Sequence, residues 1–75
     1  MEKYKNKNGH AGILRYKNGK DYIQIEFADV QTYVYNYERP GSEHVEQMKK
    51  LAPTGLGLTT YINKFVKREY WKKIS

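Results

Sequence analysis

The chain has no cysteine and only two histidines, His10 and His44. Disulfide staples are therefore excluded, and a structural zinc site lacks the thiolates it would need, so no metal ligands are expected. No apolar run approaches the roughly 18 residues required to cross a bilayer. The opening run Met1-Glu2-Lys3-Tyr4-Lys5-Asn6-Lys7-Asn8 is polar and no hydrophobic region follows it, so a secretory signal is not expected either. A cysteine-free chain fits a reducing compartment, and the expectation is a cytoplasmic protein without membrane contact. Carboxylates are scarce beside cations: 8 Asp and Glu stand against 14 Lys and Arg, for a net charge of +6.

What the chain does have is tyrosine. Eight Tyr, two Phe and one Trp occur among 75 residues. A chain of this length makes one domain and buries only about 60 % of its unfolded surface. Large rings with few rotatable bonds are an efficient way to fill so thin a core.

The charge is unevenly spread. Residues 1–20 carry six cations against one carboxylate, residues 21–57 three against six, and residues 58–75 five against one. Basic ends around an acidic middle point to an anionic partner met by the termini, either a nucleic acid or an acidic protein face. The plainer reading is a solubilising surface.

Along the chain, residues 1–9 read as a flexible basic arm, whose one apolar residue, Tyr4, would need a docking site to become ordered. The domain proper is placed at residues 10–75. Ile13-Leu14-Arg15-Tyr16 reads as a strand, and Asn18-Gly19 as a tight hairpin turn. Ile23, Ile25 and Phe27 alternate with Gln24 and Glu26 in a second strand that buries one face. A turn at residues 18–19 puts Leu14 opposite Ile23 on the core face and Arg15 opposite Tyr22 on the other. After a connection at Ala28 to Gln31, residues 32–37 form a third strand rich in β-formers, with Tyr33, Tyr35 and Tyr37 on one face. Arg39-Pro40-Gly41 ends the sheet. Ser42 is the expected N-cap of a helix over Glu43 to about Leu51, with Val45, Met48 and Leu51/Ala52 on one stripe. Pro53 to Gly57 form a loop. Thr59 is the expected N-cap of a second helix, with Leu58, Tyr61, Ile62, Phe65 and Val66 buried and an end near Glu69. The expected fold is α+β: a three-stranded antiparallel meander followed by two short helices packed on one face.

Tyr16, then Ile23, Ile25 and Phe27, then Tyr33-Val34-Tyr35 follow without a gap in a pattern that resembles the KTSC domain family. Downstream, Pro40, the 43–52 helix, Ala52-Pro53-Thr54-Gly55 and Leu58-Thr59-Thr60-Tyr61-Ile62 continue the likeness, which covers residues 12 to 70. The chain departs from the family pattern where Leu58 replaces an aromatic residue, where Thr59 replaces Asn, and in a loop one residue longer at Gly55-Leu56-Gly57. The family is named for its occurrence at the C-terminus of some lysyl-tRNA synthetases and also occurs as small stand-alone bacterial and phage-type proteins. The resemblance implies an RNA-binding role and no catalytic residues.

Two surfaces carry candidate chemistry. If the last helix runs to its end, Lys64, Lys67 and Arg68 cluster with Trp71, and Lys72 follows directly. Cations that contact phosphate beside a ring that stacks on bases are the working parts of single-strand binding. The alternative is an ordinary solvated helix end, where the dipole favours cations, with Trp71 as a lid on the core. Lys3, Lys5 and Lys7 can track a phosphate backbone or belong to an idle tail. Tyr33, Tyr35 and Tyr37 are either a stacking platform or core packing under the helices. Gly55-x-Gly57 follows a helix instead of a strand and lacks the Gly-Lys-Ser/Thr ending of a phosphate loop. The hydroxyl residues have no His–acid pairing, so no enzyme activity and no cofactor are expected. The reading is a non-catalytic basic module that binds nucleic acid, with RNA favoured. The alternative is a protein-interaction module, such as a phage-type inhibitor or regulator, that meets an acidic or nucleic-acid-binding host protein. Both a monomer and a dimer paired through a sheet edge are compatible with the sequence.

Overall fold

Period-two alternation builds the three central strands, and the chain ends widen the sheet beyond them. The computed structural model describes residues 1–7 and 12–74. Five antiparallel strands lie side by side in chain order: β1 (Glu2–Lys3), β2 (Ile13–Asn18), β3 (Tyr22–Phe27), β4 (Thr32–Asn36) and β5 (Lys72–Lys73). Between β4 and β5 come α1 (Ser42–Leu51), a 3-10 turn (Ala52–Thr54), and α2 (Leu58–Tyr61), which widens into a π-type turn (Ile62–Val66). The α+β class holds. The two extra strands come from the chain ends, which use the free edges of the meander. Trp71 donates its N–H to Val34 O at 2.8 Å and Ile74 to Thr32 O at 2.8 Å, so the C-terminal run seals the β4 edge.

The N-terminal segment is not a free arm over residues 1–7. Tyr4 is only 3 % exposed and belongs to the core. Its ring meets Tyr16 edge to face at 6.5 Å, its N–H donates to Leu14 O at 3.0 Å, and its hydroxyl oxygen accepts the Leu58 N–H at 3.4 Å. Lys7 N–H donates to Gly55 O at 2.8 Å. A Cβ on Gly55, where φ is +71°, would fall 2.4 Å from Lys5 Cβ, so glycine is what lets the two segments touch. The last arm residues, 8 and 9, and the expected domain start at His10 lie outside the described residues.

The first hairpin turns two residues later than the Asn-Gly signal indicates. Asn18 pairs with Ile23 and Tyr16 with Ile25, and Gly19 N–H closes the loop on Tyr22 O at 2.9 Å. Reversal therefore occurs at Lys20-Asp21. The expected register would have put Asp21 opposite Tyr16 on the core face, and burying that carboxylate without a partner is costly. A bulge between Ile13 and Arg15 then brings Ile13 and Tyr16 to the core together and turns Leu14 out to 43 % exposure. The Tyr22 ring lies across Gly19, 1.9 Å from where a Cβ would stand, so any larger residue there would have to displace the ring.

Both helices pack on one face of the sheet, as the sequence indicates. Val45, Met48, Ala52, Leu58, Ile62 and Val66 meet Ile23, Ile25 and Tyr35 in a single cluster. Acidic Glu43 in the first turn of α1 and Lys49 and Lys50 in the last complement its dipole. Neither expected N-cap forms: Gly41 (φ 116°) precedes α1 and Gly57 (φ 87°) precedes α2, without side-chain caps. Thr59 Oγ1 is instead buried without a hydrogen-bond partner. Phe65 is 60 % exposed, not core. The π-type turn adds a residue per turn and shifts the buried phase to Leu58, Ile62 and Val66. The helical run stops at Val66, earlier than the expected end near Glu69. Glu69 instead holds Arg39 at 2.6 Å, and Tyr70 folds back on Tyr33 and Tyr35, with ring centroids 4.3 and 6.5 Å away. Among the described residues, no helix is long and apolar enough to cross a membrane.

Candidate nucleic-acid interface

Because the helices cover one face, strand alternation dictates which residues turn to the other face, where Val34 and Thr32 are largely buried by their neighbours. The pairings Lys17↔Gln24, Gln24↔Val34 and Val34↔Lys72 make one row across four strands. A lysine ends the row on each side, three strand spacings apart, or about 14 Å. The neighbouring row runs Lys3, Arg15, Glu26, Thr32. Within it Arg15 grips Glu26 through two bonds of 2.6 and 2.9 Å. That contact holds the Glu26 carboxyl below its ordinary pKa and raises that of Arg15, leaving Lys3 as the cation of this row without an ion-pair partner among the described residues. Tyr22, Gln24, Val34 and Trp71, with Asp21 and Asn36, line a shallow depression of about 360 Å³. Trp71 is 49 % exposed.

A second concavity opens on the helix side of the sheet, with a volume of about 720 Å³. Phe27, Tyr33, Asn63, Lys67, Arg68 and Tyr70 are among the residues that line it.

The cluster expected on the last helix does not form. The chain leaves the helix at Lys67 with φ 55° and ψ −121°, and this reversal splits the candidates among several places. Lys67 and Arg68 line the cleft beside Tyr33 and Tyr70. Trp71 lines the depression on the open face, and Lys72 ends its central row. Lys64 stays exposed on the π-type turn, outside both concavities. Of the N-terminal cations, Lys3 joins the open face, whereas Lys5 and Lys7 sit against the Gly55 loop. The three tyrosines do not form one exposed platform. Tyr35 is core, Tyr33 is half-buried and donates its hydroxyl to Gln31 Oε1, and Tyr37 lies past the end of β4 and donates to Glu46 Oε2 at 2.5 Å. Lys17, Tyr22 and Gln24, which share the open face, are not among the candidates expected from the sequence. The alternation that marked Ile23 and Ile25 as inward also marked Gln24 as outward, and that signal was sufficient to find it.

Two properties of the cleft wall are testable. Lys67 occupies backbone space that suits glycine, at a strain of order 1–3 kcal/mol. Lys67→Gly is expected to raise stability by about 1 kcal/mol after the greater freedom of glycine in the unfolded chain is subtracted, a melting-temperature gain of about 5 °C. Differential scanning calorimetry checks this; an unchanged or lower melting temperature contradicts it. Burial pushes the Tyr35 phenol well above the ordinary tyrosine value near 10, with Tyr33 and Tyr70 adding to the shift. A raised folded-state pKa contributes stability that is full below the unfolded value and is lost as pH rises above it. Circular dichroism is expected to show alkaline unfolding setting in above about pH 10, and Tyr35→Phe is expected to move its midpoint upward.

No protein-family model matches the chain, and no curated protein or solved structure matches it, so the site stands on its own geometry and the KTSC resemblance on the residues quoted for it.

Proposed function

We propose that the protein is a small non-catalytic module that binds single-stranded nucleic acid, RNA in preference to DNA, on the open face of its sheet. The observation that carries this reading is the row Lys17, Gln24, Val34, Lys72 with Tyr22 and the half-exposed Trp71 beside it. Lysines at both ends of a row match a strand whose phosphates cross the sheet, and neutralising them releases counterions. Trp71 and Tyr22 offer ring faces for bases, and Gln24 in the same depression, whose Nε2 donates to Met1 Sδ at 3.8 Å, offers its amide oxygen and its second amide hydrogen to a base edge. Open sheets bearing aromatics beside cations are a recurrent way of reading unpaired RNA. The KTSC resemblance supports RNA over DNA.

Fluorescence anisotropy of short labelled single-stranded RNA, single-stranded DNA and duplex DNA, at about 50 and about 200 mM salt, tests the proposal. Binding of RNA in the micromolar range is expected, with weaker binding of DNA. With Lys3, Lys17 and Lys72 as the contacts, the logarithmic salt slope should be about −2. Absence of RNA binding at the lower salt, or equal affinity for the duplex, would remove the proposal.

A further inference from the structure

The cleft on the helix side of the sheet has the parts of a different kind of site from the open face. Its volume of about 720 Å³ lies within the range of about 300–1,000 Å³ usual for small-molecule pockets. One wall is aromatic: Phe27 meets Tyr33 edge to face at 5.7 Å, and Tyr70 lies over Tyr33 at 4.3 Å with 35° between the planes. Polar groups surround that wall. The Gln31 side-chain oxygen takes the Tyr33 hydroxyl, so its amide hydrogens are what remain for a ligand, and Asn63 adds a second amide. The cations come from the segment that follows the π-type turn. Of the three arginines in the chain, Arg15 and Arg39 are held by Glu26 and Glu69, whereas Arg68 has no carboxylate partner among the described residues. Lys67 beside it has none either. The one lining carboxylate, Asp29, belongs to the β3–β4 turn, where its Oδ1 accepts the Gln31 N–H at 3.2 Å.

Backbone strain marks the same place. Among the described residues, Asn6, Val30 and Lys67 are the non-glycine residues with positive φ. Two of them border this cleft: Lys67 lines it, and Val30 (φ 61°) sits between the lining residues Asp29 and Gln31. A β-branched residue in that conformation is unusual, and such strain concentrates at ligand sites, where the surroundings over-determine it.

We infer that this cleft is a mononucleotide pocket, with the base against the Tyr33–Tyr70 pair and the phosphate on Lys67 and Arg68. The inference rests on the nucleic-acid reading only for where the nucleotide comes from. A free nucleoside monophosphate and the 5′-phosphorylated end of an RNA strand present the same chemistry. Strand β4 serves both concavities and β5 is the edge beside it: Val34, which pairs with Lys72, lines the depression on the open face, and Tyr33, which pairs with Lys73, lines the cleft. An RNA strand that crosses the open face and turns over this edge would deliver its end nucleotide to the cleft. Aromatic rings hold the base by stacking whatever its identity, while Asn63, Gln31 and Asp29 can address its edge.

The test is a two-dimensional amide NMR titration of the full chain with AMP, adenosine and inorganic phosphate as separate probes. AMP is expected to shift the amides of Tyr33, Lys67 and Arg68 and the Asn63 side chain. Adenosine and phosphate are each expected to bind at least about tenfold more weakly, since each keeps only one of the two contacts. Lys67→Gly, which relieves backbone strain, and Arg68→Ala should each weaken AMP about tenfold. No shift with AMP, or shifts confined to Trp71 and Lys72, would overturn the inference even if single-stranded RNA binds in the anisotropy assay. AMP seated in the cleft without RNA binding would uphold the pocket and remove the open-face reading instead. Shifts of the cleft amides by a 5′-phosphorylated RNA, but not by the unphosphorylated strand, would uphold the pocket and identify the strand end as its source.

Discussion

Tyr4→Ala is expected to destabilise the protein by about 3–5 kcal/mol, the usual cost of removing a large buried aromatic side chain. For a chain of this length the whole stability is of order 4–11 kcal/mol, so the variant should be largely unfolded at modest denaturant. The expectation comes from position. Tyr4 is nearly solvent-free, its ring fills the space beside Tyr16, and its backbone extends the sheet by bonding Leu14. Removing it would uncover the end of the core between β2 and Leu58. Tyr4→Phe separates the parts of the effect. It keeps the ring and loses only the 3.4 Å contact with the Leu58 N–H, at about 1 kcal/mol. Urea denaturation of the three proteins measures both costs. A loss below about 1 kcal/mol for Tyr4→Ala would return the segment to the status of an arm.

Trp71→Ala is expected to weaken single-stranded RNA binding by about 1–3 kcal/mol, or roughly 5- to 150-fold, the measured range for removing a stacking ring. The fold should survive, because half of the Trp71 surface is already in water and its strand contact is made by its backbone N–H. Lys17→Ala with Lys72→Ala is expected to act differently. Affinity should fall across all sequences, and the logarithmic salt slope should shrink by about 1.4, at about 0.7 per phosphate contact on a single strand. Lys64→Ala is the control, since Lys64 lines neither concavity, and its affinity should match the parent. Full affinity in both the Trp71 and the double lysine variants would take the binding surface away from the open face.

These two predictions follow from structure at the chain ends, where the sequence was hardest to read. Strands β3 and β4 were legible because Ile23, Ile25 and Phe27 alternate with polar residues, and β-formers fill residues 32–36. Helix α1 was legible because Val45 and Met48 fall on one stripe between Glu43 and the lysines that follow. The two-residue edge strands were not, because Glu2–Lys3 and Lys72–Lys73 have no alternation to detect. Only the free edges of the meander and the docking of Tyr4 and Tyr70 make strands of them. The hairpin register was misread for a related reason. Asn-Gly is a strong local turn signal, but keeping Asp21 off the core face outweighs it.

The candidate site divides in the same way. Composition determined a basic, aromatic-rich, cysteine-free chain, the order of its charges determined that the cations gather toward the ends, and alternation determined which face of β3 points outward. The grouping of those cations was decided by tertiary structure. Helical periodicity placed Lys64, Lys67, Arg68 and Trp71 together, but the π-type turn and the strained backbone at Lys67 interrupt that periodicity. Lys67 and Arg68 go to the cleft, and Trp71 and Lys72 go to the open face beside Lys17, which lies far away in the sequence. Periodicity is a property of one element and reports only its own faces. Which residues share a surface depends on strand register and on where helices stop, and both are set by the burial of side chains that are distant in the chain.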